Sequence, residues 1–197
     1  MNFKIQPIYY VKSKNPIFYE ILYKDDNIPN NILFHKSNDL LDIFLFNKAL
    51  EYIKKENKEF LYTINLSTSA LMKNVNYLNN ILINNKNIYI ELLEKDIDNY
   101  EYIDSGFNKK VILDDFGTIN SNFDRIIHFK PFAIKFDRVM FQFSNKVLLA
   151  LREEFENRNI TCIFEKIENE EEYKKAYETG FYFMQGFYID NLFNFNK

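Results

Sequence analysis

The chain has 197 residues, of which 47% are hydrophobic and 18% aromatic, a composition typical of a folded domain that excludes a largely disordered chain. Its formal net charge of −3 at pH 7 gives no sign of a surface built to bind DNA or RNA. The only histidines are His35 and His128, which argues against a histidine-based triad or a histidine-rich zinc site.

Cysteine usage and hydropathy indicate the compartment. Cys162 is the only cysteine, so the chain cannot form an internal disulfide, and we expect a reducing compartment. No apolar run approaches the roughly 18 residues of a membrane span, and Met1 leads into a strand-like segment rather than a signal peptide. We therefore expect a cytoplasmic protein without a membrane segment.

The first two predicted elements are strands. Residues 3–12 and 17–23 are strand-like and are separated by a short turn, which predicts a hairpin. In the second strand Glu20 shares a face with Phe18 and Leu22 and is therefore a charge among apolar residues. One interpretation is that Glu20 is an exposed carboxylate on an edge strand.

The rest of the chain alternates helix-like and strand-like segments. Helices are predicted over 37–55, 69–84, 121–128, 145–157 and 169–179, with Ser37 and Ser121 as caps of the first and third. Strands are predicted over 60–66, 88–93, 111–113, 133–137, 160–164 and 181–189. In the first helix the apolar stripe consists of Leu40, Ile43, Phe44, Leu50 and Ile53.

This alternation predicts the fold class. A hairpin followed by helix–strand repeats implies an α/β protein with a mainly parallel sheet, and about eight strands would close into a barrel. Barrels of this type usually need about 250 residues, with about 200 as a lower end. We therefore expect one domain over residues 1–197, a TIM-like (β/α)₈ barrel with trimmed helices.

Two adjacent acids, Asp114 and Asp115, follow the short apolar run 111–113. Neighbouring carboxylates repel each other, and they are tolerated at a strand tip where a divalent cation, a lysine or helix-terminal N–H groups face them. Alternatively, one aspartate caps the following helix and the other is solvated. The spacing alone leaves both interpretations open.

Polar side chains stand at or near the carboxyl ends of several predicted strands. These residues are Asn65, Glu91, Asp114, Lys135 and Glu165. In a barrel such strand ends converge on one face, which carries the chemistry. Carboxylate and amide oxygens without histidine or cysteine suit Mg²⁺ or Mn²⁺, and several acids at one point can hold two ions about 3.5–4 Å apart.

Seven short motifs, spread from Glu20 to Tyr188, follow one another in the order and rough spacing of a known family, and the likeness extends back to Gln6-Pro7-Ile8. They are Glu20-Ile21-Leu22, Asn65-Leu66-Ser67, Glu91-Leu92-Leu93-Glu94, Asp114-Asp115-Phe116-Gly117-Thr118, Ile134-Lys135-Phe136-Asp137, Glu165-Lys166-Ile167-Glu168 and Gln185-Gly186-Phe187-Tyr188. In these motifs the chain resembles the EAL domain, a family of bacterial phosphodiesterases of the second messenger cyclic di-GMP.

The resemblance implies a (β/α)₈ barrel with one antiparallel strand, often as a homodimer. It implies hydrolysis of cyclic di-GMP to the linear dinucleotide pGpG with Mg²⁺ or Mn²⁺, as two ions. The implied metal ligands are Glu20, Asn65, Glu91, Asp114, Asp115 and Glu165. Lys135 would act on the attacking water, so that the implied catalytic set is Lys135, Glu20, Asp114 and Glu165.

The resemblance also implies supporting roles. Substrate would contact Leu22, Lys24 and Gln185; Glu94 would anchor the loop after Asp115, and Asp137 and Glu168 would support the site. A regulatory domain or partner protein outside this chain is a further implied partner.

The chain departs from the family pattern at several positions. Lys24 stands where the family has Arg, and it keeps the charge but loses the bidentate fork. Ile119-Asn120 replaces Gly-Tyr in the loop after the two aspartates, and Lys166 replaces the Gly after Glu165, which places a bulky charge near the metals. Two functions therefore stay open: an active phosphodiesterase, and an EAL-like module that senses cyclic di-GMP or binds a protein. An unrelated barrel with helix caps at its strand ends is the third interpretation.

Overall fold

Eight strands in sequence order close into a barrel in the computed structural model, which describes residues 2–24, 39–56, 59–93, 108–118 and 123–193. The strands are β1 (Asn2–Tyr10), β2 (Asn15–Lys24), β3 (Leu61–Ser67), β4 (Ile88–Leu93), β5 (Val111–Phe116), β6 (Ala133–Phe136), β7 (Thr161–Phe164) and β8 (Phe183–Met184). Strand β1 pairs antiparallel with β2 and with β8, and the other neighbours pair in parallel. The predicted hairpin, the barrel and its one antiparallel strand are confirmed.

Short helices connect the parallel strands, as expected from the length of the chain. They are α1 (Asp39–Ile53), α2 (Thr68–Lys73), α3 (Val75–Asn84), α4 (Phe123–Phe129), α5 (Asn145–Asn157), α6 (Glu170–Glu178) and α7 (Phe187–Leu192). Three of them, α2, α4 and α7, have only 6 or 7 residues. No helix in the described ranges combines the length and the apolar character needed to cross a bilayer.

The predicted helix over 69–84 is in fact two helices that break at Asn74. The side chain of Asn74 donates a hydrogen bond to the Ala70 carbonyl (2.8 Å), and its backbone N–H bonds the Leu71 carbonyl (3.1 Å). Asparagine competes with the regular helical bonds in this way and favours a break. The first helix begins at a cap, because the Ser67 hydroxyl accepts a hydrogen bond from the Ala70 N–H.

The predicted strand over 181–189 is also wrong, because β8 contains only Phe183–Met184 and the chain is helical from Phe187. Gly186 has a φ of 147°, and a Cβ at this position would lie 2.3 Å from the Ile167 carbonyl oxygen. Here the chain pairs with the loop after β7, since the Ile167 N–H donates to the Gln185 carbonyl (3.1 Å). Only glycine permits this close approach.

The apolar stripe predicted for α1 is only partly right, because Ile43, Leu50 and Ile53 pack in the core but Leu40 and Phe44 are exposed. The buried side chains of α1 are those of Asp42, Leu45, Phe46, Ala49 and Ile53, whereas Leu40 is 82% exposed. Apolar residues occur on every side of this helix, so its pattern does not select one buried face. The predicted caps Ser37 and Ser121 lie outside the described residues.

The barrel interior is filled at its lower end by a small apolar cluster that we call the floor: Ile8, Phe18, Ile112, Ala133 and Ile163. The alternate residues of the same strands, such as Ile134, Phe136 and Phe164, belong to the larger core under the helices. Successive side chains of a strand point to opposite faces of the sheet. A side chain two residues after a floor residue on the same strand therefore also points into the barrel. The floor therefore sets the depth of whatever lies above it.

The cysteine offers a simple test of this packing. Cys162 on β7 is buried, and burial raises the pKa of its thiol. We expect the folded protein not to react with a thiol reagent such as Ellman's reagent at mildly alkaline pH, and to react in guanidinium chloride. Cys162→Ala gives the zero level of the assay, and rapid reaction of the folded protein would contradict the buried placement.

Candidate active site at the mouth of the barrel

The ammonium group of Lys135 lies at the centre of four buried carboxylates. The distances from Lys135 Nζ are 2.6 Å to Glu91 Oε1, 3.0 Å to Glu165 Oε2, 3.2 Å to Glu20 Oε2 and 3.4 Å to Asp114 Oδ1. Glu20, Glu91, Asp114 and Lys135 lie on four different strands, Glu165 directly follows a fifth, β7, and all five side chains are buried. The structure thus brings together, at the carboxyl ends of the strands, acids that are far apart in the sequence.

Strand periodicity explains why these side chains meet. Each stands two residues beyond an apolar residue on the same inward face. The pairs are Phe18 and Glu20, Tyr89 and Glu91, Ile112 and Asp114, Ala133 and Lys135, and Ile163 and Glu165. The interior is therefore apolar at the floor and charged one layer higher, at the mouth.

Neutral polar side chains orient the carboxylates of this layer. Asn65 Nδ2 donates to Glu20 Oε1 (3.0 Å), and Gln185 Nε2 donates to Glu20 Oε2 (2.8 Å). Glu20 is only 6% exposed, so its interpretation as an exposed edge carboxylate is wrong. Thr63 Oγ1 donates to Glu91 Oε2 (3.0 Å), a contact that sequence reasoning missed. The position of Thr63, two residues before Asn65 on β3, is the signal that could have found it.

A bulge in β5 brings both adjacent aspartates to the mouth. Leu113 pairs with Ile134 and Phe116 pairs with Phe136, so β5 contains one more residue than β6 over this interval. Asp115 takes up the extra residue with a φ of 55°. Without the bulge, successive side chains would point to opposite faces of the sheet.

The two aspartates face lysines, as one of the sequence interpretations required. Asp114 is buried and contacts Lys135, whereas Asp115 contacts Lys166. The alternative, a helix cap beside a solvated acid, is wrong, because both carboxylates have ammonium partners.

Lys166 forms a second ammonium centre at the rim. Its Nζ contacts Asp115 Oδ1, lies 2.6 Å from Asp137 Oδ2 and lies 3.1 Å from Glu165 Oε1. Its backbone has a φ of 55°, and its side chain is about half exposed. The bulky charge of Lys166 is therefore in direct contact with Asp115 and Glu165, two of the ligands that the resemblance implies.

The ionisation of the cluster follows from burial and from the excess of acids. Burial and neighbouring carboxylates raise the pKa of Glu91 and of Glu165 well above the ordinary value. Burial opposes ionisation of Glu20 too, but Lys135, Asn65 and Gln185 bring its pKa below the ordinary value. Burial alone would lower the pKa of Lys135, and the surrounding carboxylates raise it well above the ordinary value. Added positive charge would stabilise such a cluster.

The predicted supporting residues lie at the rim. The Asp137 carboxylate accepts a hydrogen bond from the Val139 N–H (2.8 Å) and so caps the 3₁₀ segment Arg138–Gln142. Glu168 pairs with Arg138 at 2.5 Å and is largely exposed. Asp137 reaches the acidic cluster through Lys166, whereas the ion pair of Glu168 lies outside it.

The predicted substrate residues lie on the strands that lead to the mouth. Leu22 is partly buried near the end of β2, Lys24 is exposed at that end, and Gln185 is buried just after β8. The predicted anchor Glu94 and the departure Ile119-Asn120 lie outside the described residues.

The donor set at the mouth fits a hard divalent cation. Ligand oxygens of Asp114, Asp115 and Glu165 lie within 4.8 Å of one another. Within the described part of the chain, Asp114 Oδ1 and Gln185 Oε1 are buried and accept no hydrogen bond. Buried oxygen acceptors without donors, surrounded by acids, are the environment that Mg²⁺ or Mn²⁺ prefers.

Comparisons with solved structures show the same fold. The chain superposes on BlrP1 of Klebsiella pneumoniae, in a complex with calcium and cyclic di-GMP, with a TM-score of 0.76 and 21% identity over 94% of this chain and 54% of that one. The YkuI protein of Bacillus subtilis, with an EAL domain and in complex with cyclic di-GMP and calcium, gives 0.71 and 17% over 95% of this chain and 54% of that one. This chain thus spans about half the length of those two proteins.

A relative of similar length is a standalone EAL protein from Vibrio cholerae O395, solved with cyclic di-GMP bound. It gives a TM-score of 0.73 and 20% identity over 95% of this chain and 90% of that one. A search by sequence among curated proteins gave no match. The family model of the EAL domain matches residues 1–191. The chain therefore belongs to the EAL domain family.

Proposed function

We propose that this protein is a metal-dependent phosphodiesterase that hydrolyses cyclic di-GMP to the linear dinucleotide pGpG. The observation that carries the proposal is the buried cluster at the mouth, in which four carboxylates from on or directly after other strands lie 2.6–3.4 Å from Lys135 Nζ. Solved relatives contain cyclic di-GMP together with calcium or manganese, which supports this class of substrate and of ion.

A first ligand set would consist of the oxygens of Glu20, Asn65, Glu91 and Asp114. A second would consist of Asp114, Asp115 and Glu165, whose ligand oxygens lie within 4.8 Å of one another. Mg²⁺ or Mn²⁺ suits these oxygens. When bound, such an ion lowers the pKa of a water ligand and neutralises charge on phosphoryl oxygens.

The chain's own side chains have three tasks in this proposal. Lys135 places a positive charge, held in a dry site, where the phosphoryl group becomes more negative in the transition state. Asn65 and Gln185 fix the carboxylate of Glu20 through both of its oxygens. Lys24, at the open end of β2, attracts a substrate phosphate as a point charge without the bidentate grip of arginine.

One observation favours a second function, that of a cyclic di-GMP sensor without useful turnover. Lys166 contacts Asp115 and Glu165, two acids that the phosphodiesterase would use as ligands. An EAL-like module of this kind would bind the dinucleotide and release no linear product. A cytoplasmic location, a homodimer, a regulatory partner and a single domain over residues 1–197 stay predictions.

The first test is product formation. We expect purified protein with Mg²⁺ or Mn²⁺ to convert cyclic di-GMP to pGpG, as measured by chromatography. Lys135→Ala and Glu20→Ala should each lower the rate at least about 100-fold, the order expected when a group that stabilises transition-state charge is lost. Glu178→Ala, at the exposed end of α6, is the control and should keep the rate. Tight binding without product would support the sensor instead.

The second test concerns stability. Lys135→Met leaves buried carboxylates without their ammonium partner and should lower the free energy of unfolding by about 3–5 kcal/mol without metal. The loss should grow as the pH rises, because burial raises the pKa of Glu91 and Glu165, and protons taken up at lower pH relieve the repulsion.

Urea unfolding with and without Mn²⁺ measures this effect. We expect Mn²⁺ to stabilise Lys135→Met more than the unmodified protein, since the ion supplies the missing charge. Lys174→Met, which removes an exposed lysine on α6, is the matched control. A Lys135→Met protein as stable as the unmodified one in the absence of metal would contradict the electrostatic role.

A further inference from the structure

We propose that the ammonium group of Lys166 takes the place of the second divalent cation, so that this chain holds one ion at the mouth instead of two. The inference rests on the proposed function, because it concerns the ligand sets of that site. Lys166 would act as a cation that is part of the chain, a role that the glycine of the family pattern at this position cannot have.

Lys166 lies at the place where a second cation would be bound. Asp114, Asp115 and Glu165 bring ligand oxygens within 4.8 Å of one another, which marks the place where a cation would lie. Lys166 Nζ contacts Asp115 Oδ1 and lies 3.1 Å from Glu165 Oε1, so it touches two of these three carboxylates. The ammonium therefore makes the contacts that an ion at this place would make.

Both carboxylate oxygens of Glu165 already face an ammonium group. Its Oε2 lies 3.0 Å from Lys135 Nζ and its Oε1 lies 3.1 Å from Lys166 Nζ, so an ammonium group engages each oxygen. A cation at the second ligand set would have to displace one of these ion pairs. Neither Asp114 Oδ1 nor Glu165 Oε1 accepts a hydrogen bond within the described residues, but Asp114 Oδ1 has only a 3.4 Å contact with Lys135. Asp114 belongs to both ligand sets, so this oxygen stays available to a cation that is held together with Glu20, Asn65 and Glu91.

A further carboxylate holds the ammonium group of Lys166 in place. Asp137, which belongs to neither ligand set, lies 2.6 Å from Lys166 Nζ and also caps the 3₁₀ segment after β6. Asp137 therefore holds the ammonium through a contact that involves no member of either ligand set. A divalent ion would have to break this additional contact, or else lie close to a like charge that opposes its binding.

Counting bound Mn²⁺ per chain, by titration calorimetry and by the electron paramagnetic resonance of free Mn²⁺, tests the inference. We expect one ion in the unmodified protein and two in Lys166→Gly. The resonance of bound Mn²⁺ should also broaden in Lys166→Gly, because two neighbouring ions interact. Lys166→Met removes the charge and keeps the length of the side chain, and it should bind more Mn²⁺ than the unmodified protein does.

Lys14→Gly is the matched control. Lys14 is an exposed lysine at the tip of the β1–β2 hairpin, and its φ of 58° is close to the 55° of Lys166. The substitution removes a lysine charge and a side chain from a backbone position with positive φ, as Lys166→Gly does, but at a place away from the acidic cluster. We expect Lys14→Gly to bind the same number of ions as the unmodified protein.

Equal numbers of ions in the unmodified protein and in Lys166→Gly, including none in both, would overturn the inference, as would two ions in the unmodified protein. These results are separable from the fate of the proposed function. A protein that binds one ion but forms no pGpG refutes the hydrolysis and leaves the role of Lys166 standing. A protein that forms pGpG with two bound ions refutes only the role of Lys166.

Discussion

The balance between one buried ammonium group and the carboxylates around it is the constraint on which the upper half of the barrel depends. Lys135 and its four partners are removed from water, and a buried charge is tolerated only when opposite charge and hydrogen bonds compensate it. The acids outnumber the ammonium groups, so the compensation is incomplete. This deficit of positive charge is the basis of the proposal that the mouth binds a cation.

The fold creates the deficit by simple means. Strand periodicity places apolar residues at the floor and charged residues one layer higher, and closure of the barrel makes the charged layers of the strands converge. A single bulge adds Asp115 to the set, and Gly186 lets Gln185 lie close to the loop after β7. Few residues are therefore needed to turn a packed barrel into a charged pocket.

The sequence predicted the barrel and most of the charged layer, because both depend on patterns of period two that survive in a single sequence. Lys135 and Glu165 could be placed at the mouth for this reason, whereas Glu20 was placed there only by the resemblance to the EAL family. The phase of α1 could not be predicted, since its apolar residues surround the helix, and neither could the break at Asn74, which depends on one local hydrogen bond. The contacts of Lys166 with Asp115 and Asp137 join the bulged end of β5 to the segments that follow β6 and β7, and no local pattern encodes such a meeting.

We propose above all that the mouth of the barrel holds a cation beside Lys135 and Lys166. Crystals grown with Mn²⁺ and cyclic di-GMP, measured at the manganese absorption edge, test it most directly. We expect one anomalous peak within coordination distance of Glu20, Asn65, Glu91 and Asp114, with Lys166 still against Asp115 and Glu165. No peak at the mouth would contradict the account as a whole, and a second peak in place of the Lys166 ammonium would contradict the role given to that lysine.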